Sequence, residues 1–163
     1  MRSRRANCQP PHQDATASAL AAWVGTGVRR VLVVDDSPAN RAYAQAMLTR
    51  VGIESDAAEN GAEAVERARH VHYDLILMDI AMPIMDGFTA AQTIRALPRG
   101  NAKTPIIAVT ANSHPEDRLR CMDVGMNGYV PKPFDRQELL ATIAGTLQLS
   151  KADRSIKKAR SQA

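Results

Sequence analysis

Val31-Leu32-Val33-Val34-Asp35-Asp36-Ser37-Pro38 is the stretch that decides the fold. Four consecutive aliphatic residues without polar alternation describe a strand buried on both faces, as in a parallel sheet. Ser37 is suited to cap a helix and Pro38 to occupy its first position, so strand gives way to helix within a few residues. Between them sits an acidic pair, at the carboxyl end of the strand, where open α/β sheets place their sites.

The rhythm continues downstream. Ala44, Met47, Leu48 and Val51 lie at i, i+3, i+4 and i+7 and predict one helical face, ended by Gly52. Ile53–Ala57 reads as a short second strand, and Asn60 can cap a helix with Ala64, Val65 and Ala68 on its face. Leu75-Ile76-Leu77-Met78 is the third strand and ends in Asp79. Asp86 opens a helix presenting Ala90, Ile94 and Leu97, and Pro105–Val109 is the fourth strand. The helix at about Pro115–Asp123 has the least tidy apolar face and stops at Gly125. Tyr129-Val130 marks a short fifth strand, and Asp135 caps a last helix carrying Leu140, Ile143, Ala144 and Leu147. Five strands alternating with five helices specify an α/β fold, a doubly wound five-stranded parallel sheet in a flavodoxin-like (βα)5 three-layer sandwich.

Composition fits one domain: 163 residues, 45% hydrophobic, with aromatics at only 4%, so the core is built from aliphatic side chains. The net charge of +4 is unevenly placed. Residues 1–28 carry three Arg and one Asp, and 150–163 carry five Lys/Arg and one Asp, which leaves 29–149 with 13 basic and 15 acidic residues. The basicity belongs to the ends. Residues 1–28 read as a basic disordered or weakly ordered arm in which Ala17–Val24 could form a weak helix that docks on the domain, 29–149 as the domain, and 150–163 as a fraying basic tail. Cys8 and Cys121 make no disulfide framework, and no apolar run is long enough to span a membrane, so the expected location is the cytoplasm.

Four strand ends then bring chemistry to one edge: Asp35 and Asp36 after the first strand, Asp79 after the third, Thr110 after the fourth, Lys132 after the fifth. Taken singly, each has an ordinary role, as a turn former, a strand-end hydroxyl or a solvated charge. Together they suit phosphoryl transfer to a carboxylate. Three carboxylates repel unless a cation intervenes, and magnesium takes carboxylates, waters and phosphate oxygens. Asp36 and Asp79 could supply the carboxylates and the Ala81 backbone carbonyl a further ligand. Lys132 could hold a phosphate oxygen while offsetting the acidic charge, and the Thr110 hydroxyl could donate to another.

The chain resembles, over about residues 29–149, the receiver domain of two-component response regulators, the CheY-like family. The resemblance is carried by Val31–Ser37, by Leu77-Met78-Asp79-Ile80-Ala81-Met82-Pro83-Ile84-Met85-Asp86-Gly87, by Ile107-Ala108-Val109-Thr110-Ala111 and by Gly128-Tyr129-Val130-Pro131-Lys132-Pro133-Phe134. It implies that Asp79 accepts a phosphoryl group from a phosphohistidine donor on a histidine kinase or histidine phosphotransfer protein. It implies that Asp35 and Asp36 organise Mg²⁺, that Lys132 contacts the phosphate, that Thr110 and Tyr129 form a conformational switch, and that the Lys132-Pro133 bond is cis. Ala81 and Asn112 occupy the two positions that vary in the family and tune how long the phosphoryl group lasts; a lifetime that is not unusually long is expected.

Two other classes compete. A haloacid-dehalogenase-like phosphatase also uses an Asp after a parallel strand, but wants a second Asp where this chain has Ala81. Specific nucleic-acid binding is disfavoured, because Arg4-Arg5 and Lys157-Lys158 lack interleaved aromatics and the 14 residues after Leu149 cannot form a helix-turn-helix. The expected protein is a receiver without its own output domain, monomeric or dimerising on phosphorylation and read by a downstream protein. The alternative is a receiver module of a hybrid histidine kinase; the Met1 start favours the first.

Overall fold

Parallel pairing orders the strands, and each pairing fixes the level of a site residue. The computed structural model describes residues 12–27, 29–112 and 114–161. In chain order the elements are α1 (His12–Val24), β1 (Arg30–Val34), α2 (Pro38–Thr49), β2 (Glu54–Ala58), α3 (Gly61–His70), β3 (Leu75–Asp79), α4 (Gly87–Arg95), a 3-10 turn (Asn101–Lys103), β4 (Ile106–Thr110), α5 (Pro115–Asp123), β5 (Gly128–Pro131) and α6 (Arg136–Ser161). The strands form one sheet in the order β2-β1-β3-β4-β5, with every pair parallel.

Alternate residues of the buried strands feed two cores. Leu32, Val34, Ile76, Met78, Ile106 and Ala108 pack with α3, α4 and α5. Val31, Val33, Leu75, Leu77, Ile107 and Val109 pack with α1, α2 and α6. The chain thus forms the three layers expected. The caps also fall as expected: Asn60, Asp86 and Asp135 side chains accept from the third residue on, at 2.9, 2.8 and 2.8 Å. Strand β2 begins one residue later than its apolar pattern suggests, because the Ile53 amide is bound back to the Leu48 carbonyl to close α2.

The flanks differ from the sequence reading. Within the first 28 residues, 12–24 form a helix, while 1–11 lie outside the described residues. Leu20 and Trp23 are each 5% exposed and join the α2–α6 core. The docking open to Ala17–Val24 thus occurs, on a signal carried by only two large side chains in a segment otherwise rich in Ala, Ser and Thr. Arg29 fastens the helix end: its guanidinium donates to the Trp23 carbonyl at 2.8 Å, bonds Thr26, pairs with Asp74 at 3.0 Å and lies 5.2 Å from the Trp23 ring centroid. At the other end α6 does not stop near Leu149 but runs to Ser161. Lys, Arg and Ala have high helix propensity, and no proline interrupts them. Among the described residues no helix is long and apolar enough to cross a membrane.

Trp23 is the chain's one tryptophan, which makes its docking measurable. Truncating a buried Trp costs about 3–5 kcal/mol, but here the loss is capped by the free energy with which α1 docks. Trp23→Ala should therefore abolish hydrogen-exchange protection in α1 while leaving β1, β3 and β4 protected. Equal loss in α1 and the central strands would show that α1 folds as one unit with the sheet.

Candidate functional site

The sheet register assembles the site before any side chain is considered. Val34 pairs with Met78, so Asp35 and Asp79 stand level on neighbouring strands. Asp79 pairs with Val109, so Thr110 lies one residue beyond it. Thr110 pairs with Pro131, so Lys132 is one residue further along the same edge. From β1 the chain crosses to β2 on one side, and from β3 to β4 on the other, so the acidic cluster sits where the winding reverses.

Asp35, Asp36 and Asp79 each offer an oxygen within 4.8 Å of the others. Asp35 and Asp79 are buried at 5% and 4% exposure, whereas Asp36 is exposed. The Lys132 ammonium lies between the buried pair, 2.6 Å from Asp35 Oδ2 and 3.2 Å from Asp79 Oδ2. The Lys132-Pro133 peptide is cis, in agreement with the resemblance.

The titration behaviour follows from burial and from these charge partners. Burial pushes the Asp79 carboxyl above its ordinary value; Lys132 opposes this and Asp35 reinforces it. Burial alone would lower the Lys132 ammonium, but the hydrogen bond to Asp35 and the charges of Asp79 and Asp35 outweigh it and raise it. Both groups rise: burial outweighs Lys132 at Asp79, and the two carboxylates outweigh burial at Lys132. One ammonium among three carboxylates leaves an excess of two negative charges, and the donor set is all hard oxygen. That suits a divalent cation such as Mg²⁺.

Asp35 is held more firmly than sequence reasoning anticipated. Its Oδ1 accepts from the Ser37 amide at 2.9 Å and from Asn40 Nδ2 at 3.2 Å, and Oδ2 from Asn40 at 3.3 Å. Arg41 donates to the Asp35 carbonyl at 2.8 Å. Both residues lie in the first turns of α2, and the available signal was polar side chains where the start of that helix faces the strand end. Gly87 stood in a matching stretch with no role of its own. A Cβ there would meet the Asp79 carbonyl oxygen at 2.1 Å, so only glycine lets the start of α4 approach the acidic strand end.

Thr110 is buried at the end of β4, and its Oγ1 accepts from the Asn112 amide at 3.1 Å. The Tyr129 hydroxyl donates to the carbonyl of the same Asn112. The backbone of one residue therefore touches both expected switch residues. Tyr129 is half-buried and already rests against the core beneath α3, α4 and α5. Ala81 lies exposed in the loop two residues beyond Asp79, at the same edge of the sheet.

Residues 31–144 match the family model of the response regulator receiver domain. Among full-length relatives, the signal transduction histidine-protein kinase BarA of Escherichia coli (strain K12) is 40% identical over 109 residues, 67% of this chain and 12% of that protein. The hybrid signal transduction histidine kinase K of Dictyostelium discoideum is 38% identical over 120 residues, 70% of this chain and 10% of that protein. The chain thus spans about a tenth of the length of these relatives. Among solved structures, the chemotaxis protein CheY4 of Vibrio cholerae superposes with a TM-score of 0.70 at 32% identity, covering 74% of this chain and 99% of that one. The receiver domain of the sensor histidine kinase PA1611 of Pseudomonas aeruginosa PAO1, which has a magnesium ion coordinated in its active-site cleft, superposes with a TM-score of 0.65 at 38% identity, covering 73% and 99%.

Proposed function

The chain belongs to the response regulator receiver domain family of two-component signalling, and from that we propose that Asp79 is its phosphoacceptor. The observation that carries the reading is the buried Asp79 carboxylate, 3.2 Å from the Lys132 ammonium and ringed by Asp35 and Asp36. In the proposed step an Asp79 carboxylate oxygen attacks the phosphorus of a phosphohistidine on a histidine kinase or phosphotransfer protein. The phosphorus–nitrogen bond breaks, the imidazole leaves with the bonding pair, and an acyl phosphate forms. Raising the carboxyl by burial gives Asp79 a more basic oxygen, which suits a nucleophile.

Three groups would meet the phosphoryl oxygens. Lys132 supplies a point charge, the Thr110 hydroxyl a donor, and Mg²⁺ held by Asp36, Asp79, the Ala81 carbonyl and the Asp35 charge would neutralise the remainder. Asp35 acts mainly as an organiser, because both its oxygens already accept protein hydrogen bonds. The same geometry would assist both gain and loss of the phosphoryl group, so the domain is a signalling acceptor rather than an enzyme acting on a separate substrate. The functional unit is taken as 29–149, with α1 as an added cover.

A second reading is favoured by relatives such as BarA and the hybrid kinase K, histidine kinases of which this chain spans about a tenth. In that setting the receiver passes its phosphoryl group on as a relay intermediate. In a stand-alone regulator it would be read by a partner protein through α5, β5 and α6. Helix α5 has Cys121 as its buried residue, which suits an element that moves.

Asp79→Asn should abolish labelling by acetyl phosphate with Mg²⁺ and leave the fold intact, because the change is nearly isosteric and relieves repulsion; full labelling of the variant would refute the assignment. Calorimetry should find Asp35→Ala weakening Mg²⁺ by about 10- to 100-fold, the cost of losing an organising partner, and Asp36→Ala weakening it more. The reverse order would make Asp35 the principal ligand. Amide shifts with and without beryllofluoride should differ most around Asp79 and over α5, β5 and the start of α6; changes confined to the acidic pocket would rule out this output route.

A further inference from the structure

Helix α5 is fastened to its neighbours in an unusual manner. Its interior contact is small, and Leu119 and Met122 stand 64% and 71% exposed. On its flanks two arginines lie over aromatic rings. The Arg118 guanidinium is 5.5 Å from the centroid of Tyr129, and that of Arg120 is 4.1 Å from the centroid of Phe88. Residues two apart project from different sides of a helix, so the pair reaches in two directions. Phe88 follows Gly87, which packs against the Asp79 carbonyl. Tyr129 is bonded through its hydroxyl to Asn112, whose amide is bonded to Thr110. Helix α5 thereby joins the acceptor side of the site to the switch side, through cation–aromatic contacts rather than buried packing.

We propose that Arg118 is a positioning residue of the switch, holding the Tyr129 ring so that its hydroxyl stays on the Asn112 carbonyl. The contact itself needs nothing from the receiver reading, but its consequence for phosphorylation rests on it. Arg118 makes no ion pair among the described residues, so its charge is not committed to a carboxylate. It covers a ring whose hydroxyl is fixed at the far end, and the two contacts together define both tilt and position. With the Asn112 amide donating to Thr110 Oγ1, the Thr110 proton remains free to be given to a phosphoryl oxygen. The arrangement held by Arg118 is therefore the one in which Thr110 can bond the incoming group. An exposed cation–aromatic contact shifts such a population by about two- to fivefold, enough to be read and too little to lock the switch.

The chain has three tyrosines, Tyr43, Tyr73 and Tyr129, so incorporation of 3-fluorotyrosine yields three ¹⁹F resonances, and Tyr129→Phe identifies one of them. Without any phosphoryl mimic, Arg118→Ala should shift the Tyr129 resonance and leave those of Tyr43 and Tyr73 in place, which also reports an intact fold. Arg118→Lys should recover part of the wild-type position, and Arg118→Met, which keeps the stem but not the charge, should not. Titration with beryllofluoride and Mg²⁺ should then show about two- to fivefold weaker binding in Arg118→Ala. An unmoved Tyr129 resonance in Arg118→Ala, or full recovery in Arg118→Met, would overturn the proposal. A wild-type protein that ignores beryllofluoride would defeat the receiver reading instead, and the resonance comparison would still decide the contact.

Discussion

One ammonium group shared between two buried carboxylates is the interaction on which the site depends. Asp35 and Asp79 are buried side by side because the parallel register of β1 and β3 leaves them level. Without Lys132 the pair would be uncompensated in a poorly solvated edge, and removing one partner of a buried charge pair is strongly destabilising. The lysine comes from the far side, beyond β4 and β5, so the whole half-sheet must be in register for it to arrive. Electrostatics at one point therefore constrains the pairing of four strands.

The two halves of the surroundings are built to different stiffness. On the acidic side, Asp35 is held by Ser37, Asn40 and Lys132, and Gly87 brings the start of α4 against the Asp79 backbone. Strands β1, β3 and β4 are almost wholly buried. On the switch side, α5 contributes one buried residue and two exposed arginines. A site of this kind requires fixed carboxylates and an adaptable responder, and the difference in burial supplies both.

The fold was legible because its signals are local. Aliphatic runs, Ser37-Pro38, Asn60, Asp86 and Asp135 each declare an element or a boundary without reference to the rest of the chain. That Asp35, Asp79, Thr110 and Lys132 gather at one edge was legible for the same reason, since each follows or ends a recognisable strand. What escaped reading depends on contacts between distant segments. Leu20, Trp23 and Val24 share one helical face but are few, so the strength of α1 docking emerges only when α6 and the end of α2 present a surface to it. Arg29 gives no sequence signal for a clamp, because Asp74 and the Trp23 carbonyl become its partners only in the fold. Asn40 and Arg118 are ordinary polar helix residues until the strand end or the tyrosine ring is beside them.

Charge placement makes the same point. The chain is basic by +4 overall, yet 29–149 carries more acidic than basic residues, and its site has three carboxylates to one lysine. Basic groups at the ends of the chain cannot balance that cluster, because exposed charges are screened over about 8 Å at physiological ionic strength. Compensation has to come from groups in contact. Lys132 supplies one charge, and on the proposed reading a phosphoryl group on Asp79 would increase the deficit left for a cation to meet. The excess of two negative charges would make the proposed site responsive, because it leaves Asp79 short of compensation until a cation arrives.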